Sequence, residues 1–355
     1  MITSNATCWF RRVARAGAVL AAIVVVVGAW VRLTDAGLGC PDWPGCYGHV
    51  HPAELLGKVD AVNAAYPASP FNYTKALHEM VHRYIATTLG LVIIGLAVMA
   101  FLNRRDPAQP TVLPFVVLAI VCLQGALGAF TVTLLLKPVI VTLHLIGGLT
   151  TLSLLWWLSL TPSRRDVKES ERPLRRLALL ALVALAAQVM LGGWTSTNYA
   201  AVACPDFPTC QGSFQPQTDF RSAFSLARRA TGSYEGGVLS ARARTAIHYT
   251  HRIGAVVVGG LLLSVALLAG RRGPTRAVRL AAGGVLGAVV LQWLIGINLI
   301  WKGFPLWLGT SHNGGAVLLL VATLTLVRSL WPAGPEIGFS GAIDRGWTAR
   351  PLAGR

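Results

Sequence analysis

Eight stretches of mostly apolar residues divide this chain of 355 residues. A helix needs roughly 20 such residues to cross a bilayer, and each stretch is about that long. The composition agrees, because 54% hydrophobic and 13% charged residues are too apolar for a soluble domain with an aqueous surface. The sequence therefore predicts an all-α, polytopic membrane protein with eight transmembrane helices. The predicted spans are Val13–Val31, His78–Leu102, Thr111–Leu135, Pro138–Leu160, Leu174–Trp194, Ile247–Leu268, Val278–Trp301 and Leu306–Trp331.

The basic residues lie between the apolar stretches rather than on one soluble face. A formal net charge of +17 could indicate a nucleic acid partner, but such partners are bound by a contiguous basic surface. Here the basic residues concentrate before the first stretch, after the second, fourth and sixth, and at the C-terminal end. By the positive-inside rule both termini are cytoplasmic, and the arginine-containing segment between stretches five and six is a long loop that crosses regardless of charge. We expect a multi-pass protein of the inner (plasma) membrane with no nucleic acid partner.

The chain is a tandem duplication. Matching residues recur at offsets of 164, 168 and 169, and collinear matches with so little drift indicate two copies of a four-helix unit. We therefore predict two pseudo-symmetric four-helix bundles, residues 1–161 and 174–331, with a cytoplasmic linker at 162–173 and a polar, disordered tail at 332–355. The first stretch alone could be a cleavable signal peptide, but its partnership with the fifth predicts that it is retained. The matches are Trp30 with Trp194, Cys40 with Cys204, Cys46 with Cys210, Gln124 with Gln292, His144 with His312, and His82-Arg83 with His251-Arg252.

Two long loops, at about 33–77 and 197–245, follow the first helix of each half and lie on the outer side in this topology. Both contain the pattern C-P-D-aromatic-P-x-C. An oxidising compartment permits disulfides, so we pair Cys40 with Cys46 and Cys204 with Cys210. Two free thiols or a metal site are the alternatives for each pair.

Four histidines, one near the outer end of every second helix, are the candidate functional residues. An ionisable side chain at membrane depth is costly and functional by default, although a core imidazole bonded to a neighbouring helix is the alternative for any single one. Two histidines on separate helices can fill both axial positions of a haem iron. The pairs Gly147-Gly148 and Gly314-Gly315 would leave room for a flat cofactor, or simply for close helix packing. The predicted iron ligands are His82, His144, His251 and His312.

Residues 78–82 read H-E-x-x-H, the pattern of a zinc protease with two histidine ligands and a glutamate base. That hypothesis leaves His144 and His312 without a role, and the second half has no glutamate at the matching place. Glu79 lies one turn before His82 on the same helix face, close to any iron that His82 binds. Glu79 is therefore the candidate catalytic residue; pairing with Arg83 or capping the helix is the alternative.

In these residues the chain resembles the haem A synthase family. The resemblance covers nearly the whole chain and is carried by VRLTDAGLGCPDWPGC and HEMVHR in the first half, HYTHR in the second, and two further histidines, His144 and His312. It implies an enzyme that oxidises the C8 methyl of haem O to a formyl group, through two hydroxylations and loss of water. The product, haem A, would serve the terminal oxidase.

The resemblance also implies residue roles. His82 and His144 would hold the substrate haem O, and His251 and His312 would hold a haem b. Glu79 matches the family's functional carboxylate. Of the cysteines, Cys40 and Cys46 match a pair associated with transfer or redox coupling, while Cys204 and Cys210 resemble a structural pair. His78 is a polar residue that the family motif does not require.

A di-haem electron-transfer cytochrome would need the same four histidines without substrate turnover, and Glu79 in one half only favours the enzyme. The expected partners are haem O synthase, an electron donor and membrane lipid. The chain could also form a homo-oligomer.

Overall fold

The computed structural model describes residues 5–160, 169–226 and 232–331. Regular structure in these residues is helical, and eight of the helices are long and apolar enough to cross a membrane. The prediction of an all-helical, multi-pass membrane protein is confirmed. The predicted tail and most of the predicted linker lie outside the described residues. The helices are α1 Asn5–Leu33, α2 Val59–Ala65, α3 Tyr73–Leu102, α4 Leu113–Thr133, α5 Pro138–Ser159, α6 Arg172–Thr197, α7 Phe220–Ala223, α8 Ala241–Arg272, α9 Arg276–Trp301 and α10 Leu306–Leu330.

The long helices contact one another in the same order in both halves. In the first half α1 and α4 each contact both α3 and α5, which closes a ring of four helices. In the second half α6 and α9 each contact both α8 and α10. Helix α1 therefore corresponds to α6, α3 to α8, α4 to α9 and α5 to α10, as the sequence matches require.

The loops after α1 and α6 repeat the same unusual backbone conformations. Tyr47 and Gly48 have φ of 52° and 77°, and Gln211 and Gly212 have φ of 56° and 73°. Left-handed conformations are uncommon for residues other than glycine. Their recurrence at an offset of 164 shows that the two loops fold alike.

The halves meet along α1, α5, α6 and α10. One apolar core runs through both, with small residues such as Ala14 and Ala18 on α1 beside larger ones such as Leu155 on α5. Trp156 on α5 donates its indole N–H to Thr325 Oγ1 on α10 across 2.9 Å. Small residues let helices approach closely in a bilayer, where packing rather than the hydrophobic effect drives association.

At the opposite end of this interface, residues from equivalent positions of the two halves contact each other. Arg32 donates to the main-chain oxygen of Ser196 across 2.9 Å, and its guanidinium lies 4.0 Å from the centre of the Tyr199 ring. The Tyr199 hydroxyl donates to Asp35 across 3.0 Å. Arg32 and Ser196 are 164 residues apart, and so are Asp35 and Tyr199.

Candidate functional site

The four histidines lie within the first three turns of their helices. Helix α3 begins after Asn72, whose side chain accepts from the backbone N–H of Lys75. Helix α8 begins after Ser240, whose side chain likewise accepts from Ala243. The other two ligand helices start with a proline at or just before their first turn. These starts place all four histidines at a similar depth, near one end of the bundle.

Each imidazole packs against a glycine of the preceding long helix. A side chain on that glycine would meet the imidazole, because an added Cβ would lie within ordinary contact distance or closer. The distances from such a Cβ to the imidazole Cε1 are 2.9 Å for Gly28 and His82, 3.5 Å for Gly128 and His144, 3.1 Å for Gly192 and His251, and 3.1 Å for Gly296 and His312.

The histidines approach each other in pairs, one pair per half. The ring centres of His251 and His312 are 6.5 Å apart, with the ring planes at 80°. His82 and His144 are close enough to interact electrostatically. Two imidazoles that bind one metal ion from opposite sides, at nitrogen–metal distances of about 2 Å, have ring centres roughly 6 Å apart.

The pairs fit the axial ligation of a haem iron. The Nδ1 atoms of His82, His144 and His312 are buried, with no hydrogen-bond partner among the described residues. Unpaired buried imidazole nitrogens are costly unless something binds them. Neutral imidazoles are the ligands that haem iron takes in b-type cytochromes, so the donor set suits this group.

Of the two roles considered for the paired glycines, the structure favours close helix packing. Gly147 and Gly315 make room for glutamines, because a Cβ there would lie 1.8 Å from Gln124 Nε2 and 2.1 Å from Gln292 Oε1. The space beside the imidazoles comes instead from the four glycines described above. In the sequence, Gln124 and Gln292 stand out only as matching positions of the repeat.

Glu79 is 5% exposed, and both of its carboxylate oxygens have partners. The backbone N–H of Cys40 donates to Oε2 across 2.9 Å, and Arg83 donates to Oε1 across 2.5 Å. Glu79 thus joins helix α3 to the first cysteine loop. The ion pair that sequence analysis gave as the alternative for Glu79 is present, one turn from His82.

Arg83 fastens the same loop at further points. Its guanidinium donates to the main-chain oxygens of Asp42 and Pro44 across 3.0 and 3.1 Å, and also to that of Gly45. A planar guanidinium with five donors suits such multiple bonding. Arg252 does the same for the second loop, donating to Cys204, Asp206 and Thr209 across 2.6, 2.7 and 2.8 Å.

His248 takes the place of Glu79 in the second half. The backbone N–H of Cys204 donates to its Nδ1 across 3.3 Å, and Arg252 lies 3.3 Å from its Nε2. The absence of the glutamate from this half is visible in the sequence, but the place of His248 at this position was not predicted. The signal was available, because Glu79 and His248 differ by 169, as do His82 and His251.

Each cysteine loop is closed by a disulfide and by the aspartate of its C-P-D segment. Cys40 is bonded to Cys46, and Cys204 to Cys210, which is the pairing expected from the loop sequences. Asp206 accepts from the backbone N–H groups of Gln211 and Gly212 across 2.6 and 2.9 Å. Hydrogen bonds, first from the Thr209 hydroxyl and then from Gly212, lower the pKa of Asp206 to about 2.

Among the described residues, the fold brings no third metal ligand to the zinc protease pattern at 78–82. In residues 5–160, 169–226 and 232–331 no group of three His, Cys, Asp or Glu side chains is arranged to hold a metal ion. His78 instead packs edge-on against Trp30, with ring centres 6.2 Å apart. Its Nδ1 is buried, with no hydrogen-bond partner in the described part of the chain.

Fold and site together define a class: a duplicated eight-span helical membrane protein with one inward histidine pair in each half. Comparison with known proteins gives the family. A family model described as cytochrome oxidase assembly protein, COX15-CtaA, matches residues 11–324. The chain belongs to this family.

Three relatives are similar along most of their length. A heme A synthase of Shewanella oneidensis is 41% identical over 312 residues, covering 87% of this chain and 93% of that protein. A heme A synthase of Rhizorhabdus wittichii is 28% identical over 326 residues, covering 86% and 90%. A heme A synthase of Caulobacter vibrioides is 29% identical over 326 residues, covering 84% and 90%.

Proposed function

We propose that this chain is a haem A synthase, a membrane oxidoreductase that converts the C8 methyl of haem O to a formyl group. The observation that carries the proposal is the pairing of four imidazoles, one pair in each half, in a chain that is 41% identical to a heme A synthase over 87% of its length. The product would serve the assembly of cytochrome oxidase, in keeping with the family description.

The two halves have different roles in this proposal. His82 and His144 hold the substrate haem O, and His251 and His312 hold a resident haem b. Bound haem supplies redox chemistry at its iron. The chain's own residues hold the macrocycles in place, and the glycines beside the histidines leave room for the imidazole rings. The presence of a carboxylate beside His82, where the second half has His248, supports placing the reaction in the first half.

Glu79 is the proposed proton acceptor. It lies one turn from His82, and a carboxylate near the edge of the substrate ring can take protons released as the methyl carbon is oxidised. Its contacts with Arg83 and Cys40 hold it in one orientation. The geometry equally supports a role in fixing the cysteine loop above the substrate, and the two roles are compatible in one residue.

We place the protein in the inner (plasma) membrane, with both termini cytoplasmic and the cysteine loops outside. Haem O synthase is the proposed source of substrate, and an electron donor completes the reaction. The positive-inside distribution and the two disulfides support this orientation.

The test is to express the chain in a host that makes haem O and lacks its own haem A synthase, and then to extract the haems. We expect haem A in membranes with the intact chain, and none with a His82→Ala, His144→Ala double variant. The competing candidate is a di-haem electron-transfer cytochrome, favoured by the matched histidine pairs. Bound haem without haem A in the intact chain would establish that candidate instead.

A further inference from the structure

A short sequence pattern, complete at three of the four histidines, links each histidine to the long helix before it. Three of the four sites combine Q-x-x-x-G on the preceding long helix with H-x-x-G on the histidine's own helix. In every site the first glycine is the one that packs against the imidazole. The three sites are Gln124, Gly128, His144 and Gly147; Gln188, Gly192, His251 and Gly254; and Gln292, Gly296, His312 and Gly315.

In the second half the glutamine fixes the histidine. Gln188 Nε2 donates to the main-chain oxygen of His251 across 2.9 Å and lies 3.0 Å from its Nδ1. Gln292 Nε2 donates to the main-chain oxygen of His312 across 3.1 Å and lies 3.4 Å from its Nε2. One amide thus donates to the backbone of the histidine and lies against its ring, which holds this turn of the histidine's helix against the preceding helix.

The second glycine of the pattern makes room for the amide. A Cβ at position 254 would lie 2.2 Å from Gln188 Oε1, so even alanine would displace the glutamine. Gly315 and Gly147 leave the same space for Gln292 and Gln124, which occupy it. The glutamine and this glycine therefore depend on each other.

The fourth site, at His82, lacks both partners. Gly28 is retained against the imidazole, but Val24 stands where the pattern has glutamine and Ile85 where it has the second glycine. The two exchanges occur together, and neither side chain can hydrogen-bond.

We propose that His82 is the exchangeable axial ligand, and that the missing glutamine allows the first half to take up haem O and release its product. This rests on the proposed function, which gives the first half a substrate and the second half a resident cofactor. Outer-sphere partners hold ligand residues in position, and their loss weakens metal binding. His251 and His312 both have such a partner, so the second half retains its haem.

The test adds the glutamine to the His82 site, removes it from the His251 site, and measures how fast each half releases haem. Purified full-length protein in nanodiscs is saturated with haem O and mixed with excess apomyoglobin, and haem transfer is followed by absorbance. The unaltered chain should release haem in a fast and a slow phase. The variants His144→Ala and His312→Ala, each lacking a ligand in one half, assign the phases to the halves.

The double variant Val24→Gln, Ile85→Gly should slow the fast phase about tenfold, which corresponds to a gain of about 1.4 kcal/mol from one hydrogen bond. Gln188→Leu, which keeps the volume and removes the amide, should accelerate the slow phase by a similar factor. Val24→Gln alone is the matched control. Because Ile85 still fills the space of the second glycine, the single change should not slow the fast phase.

Several results would overturn the proposal. The first is release in a single phase by the unaltered chain. The second is an unchanged fast phase in the double variant, provided that this variant binds haem with the unaltered spectrum. The third is an unchanged slow phase in Gln188→Leu. The rates are measured without turnover. A chain that makes no haem A but shows the expected rates would refute the proposed function alone, whereas haem A synthesis with unaltered rates in both variants would refute only the exchangeable ligand.

Discussion

At the scale of single residues, Glu79 and His248 show how one position changes its chemistry between the halves. Both face the first cysteine of a loop and the arginine four residues on. A carboxylate accepts hydrogen bonds at both oxygens, whereas a neutral imidazole accepts at only one nitrogen. The first loop is therefore held by a complete ion pair, and the second by a weaker set of contacts at this point.

Removing the Glu79 carboxylate separates its two proposed roles. We expect Glu79→Ala to retain bound haem, because no iron ligand is lost, and to lower haem A formation at least 100-fold, the scale of a lost proton acceptor. Haem content and extracted haem A measure the two effects. His248→Ala is the matched control in the second half and should leave haem A formation within a few-fold. Loss of haem from Glu79→Ala would show that its role is structural.

The glycine beside His82 gives a second prediction at this scale. A methyl group at Gly28 would lie 2.9 Å from the imidazole Cε1, so Gly28→Ala should push the ring from its position and reduce haem bound in the first half. Gly95→Ala is the control, because the space around that glycine is open and alanine favours a helix by about 1 kcal/mol. The haem-to-protein ratio of each purified variant is the measurement. Equal ratios in the two variants would contradict the assigned site.

At the scale of elements, the sequence located the spans better than it located their starts. Helix α3 begins at Tyr73 and α8 at Ala241, five and six residues before the apolar stretches that predicted them. Their first turns are polar, and the caps Asn72 and Ser240 lie outside the hydrophobic pattern. An apolar window reports the part of a helix within hydrocarbon, not the turn that projects from it.

The pairing of the histidines in space could be predicted, because charge at membrane depth is costly and the repeat matches these residues. The glutamine and glycine contacts could not be predicted in the same way. They depend on which faces of α6 and α8, or of α9 and α10, turn toward each other, and that orientation is set by packing along the whole length of each helix. The periodicity of one helix does not reveal how its faces are oriented toward its neighbours.

The arginine that fastens each cysteine loop gives a prediction at this scale. Arg83→Lys should loosen residues 40–49, because an ammonium cannot reproduce the fork that bonds Asp42, Pro44 and Glu79 together. Hydrogen–deuterium exchange should rise at least severalfold in that loop. Residues 204–213, held by Arg252, serve as the internal control. Unchanged exchange in the first loop would mean that the disulfide and Asp42 suffice.

At the scale of the whole molecule, the proposed orientation can be measured directly. In a background with Cys8 and Cys122 changed to serine, a cysteine at the exposed position 51 should react with a membrane-impermeant maleimide in intact cells. A cysteine at the exposed position 104, on the opposite side, should react only after the cells are opened. The reverse pattern would invert the topology and place the disulfides in the reducing compartment.

The contact between Asp35 and Tyr199 bears on how such a chain could arise. These two residues occupy one and the same place in the repeated unit, and they touch where the halves adjoin. In a self-associating pair of identical four-helix proteins, that place would face its own copy, setting two carboxylates or two phenols against each other. A carboxylate opposite a phenol needs the two copies to differ. In this chain the two copies carry Asp35 and Tyr199 at that place, so a carboxylate acceptor lies opposite a hydroxyl donor where the halves adjoin.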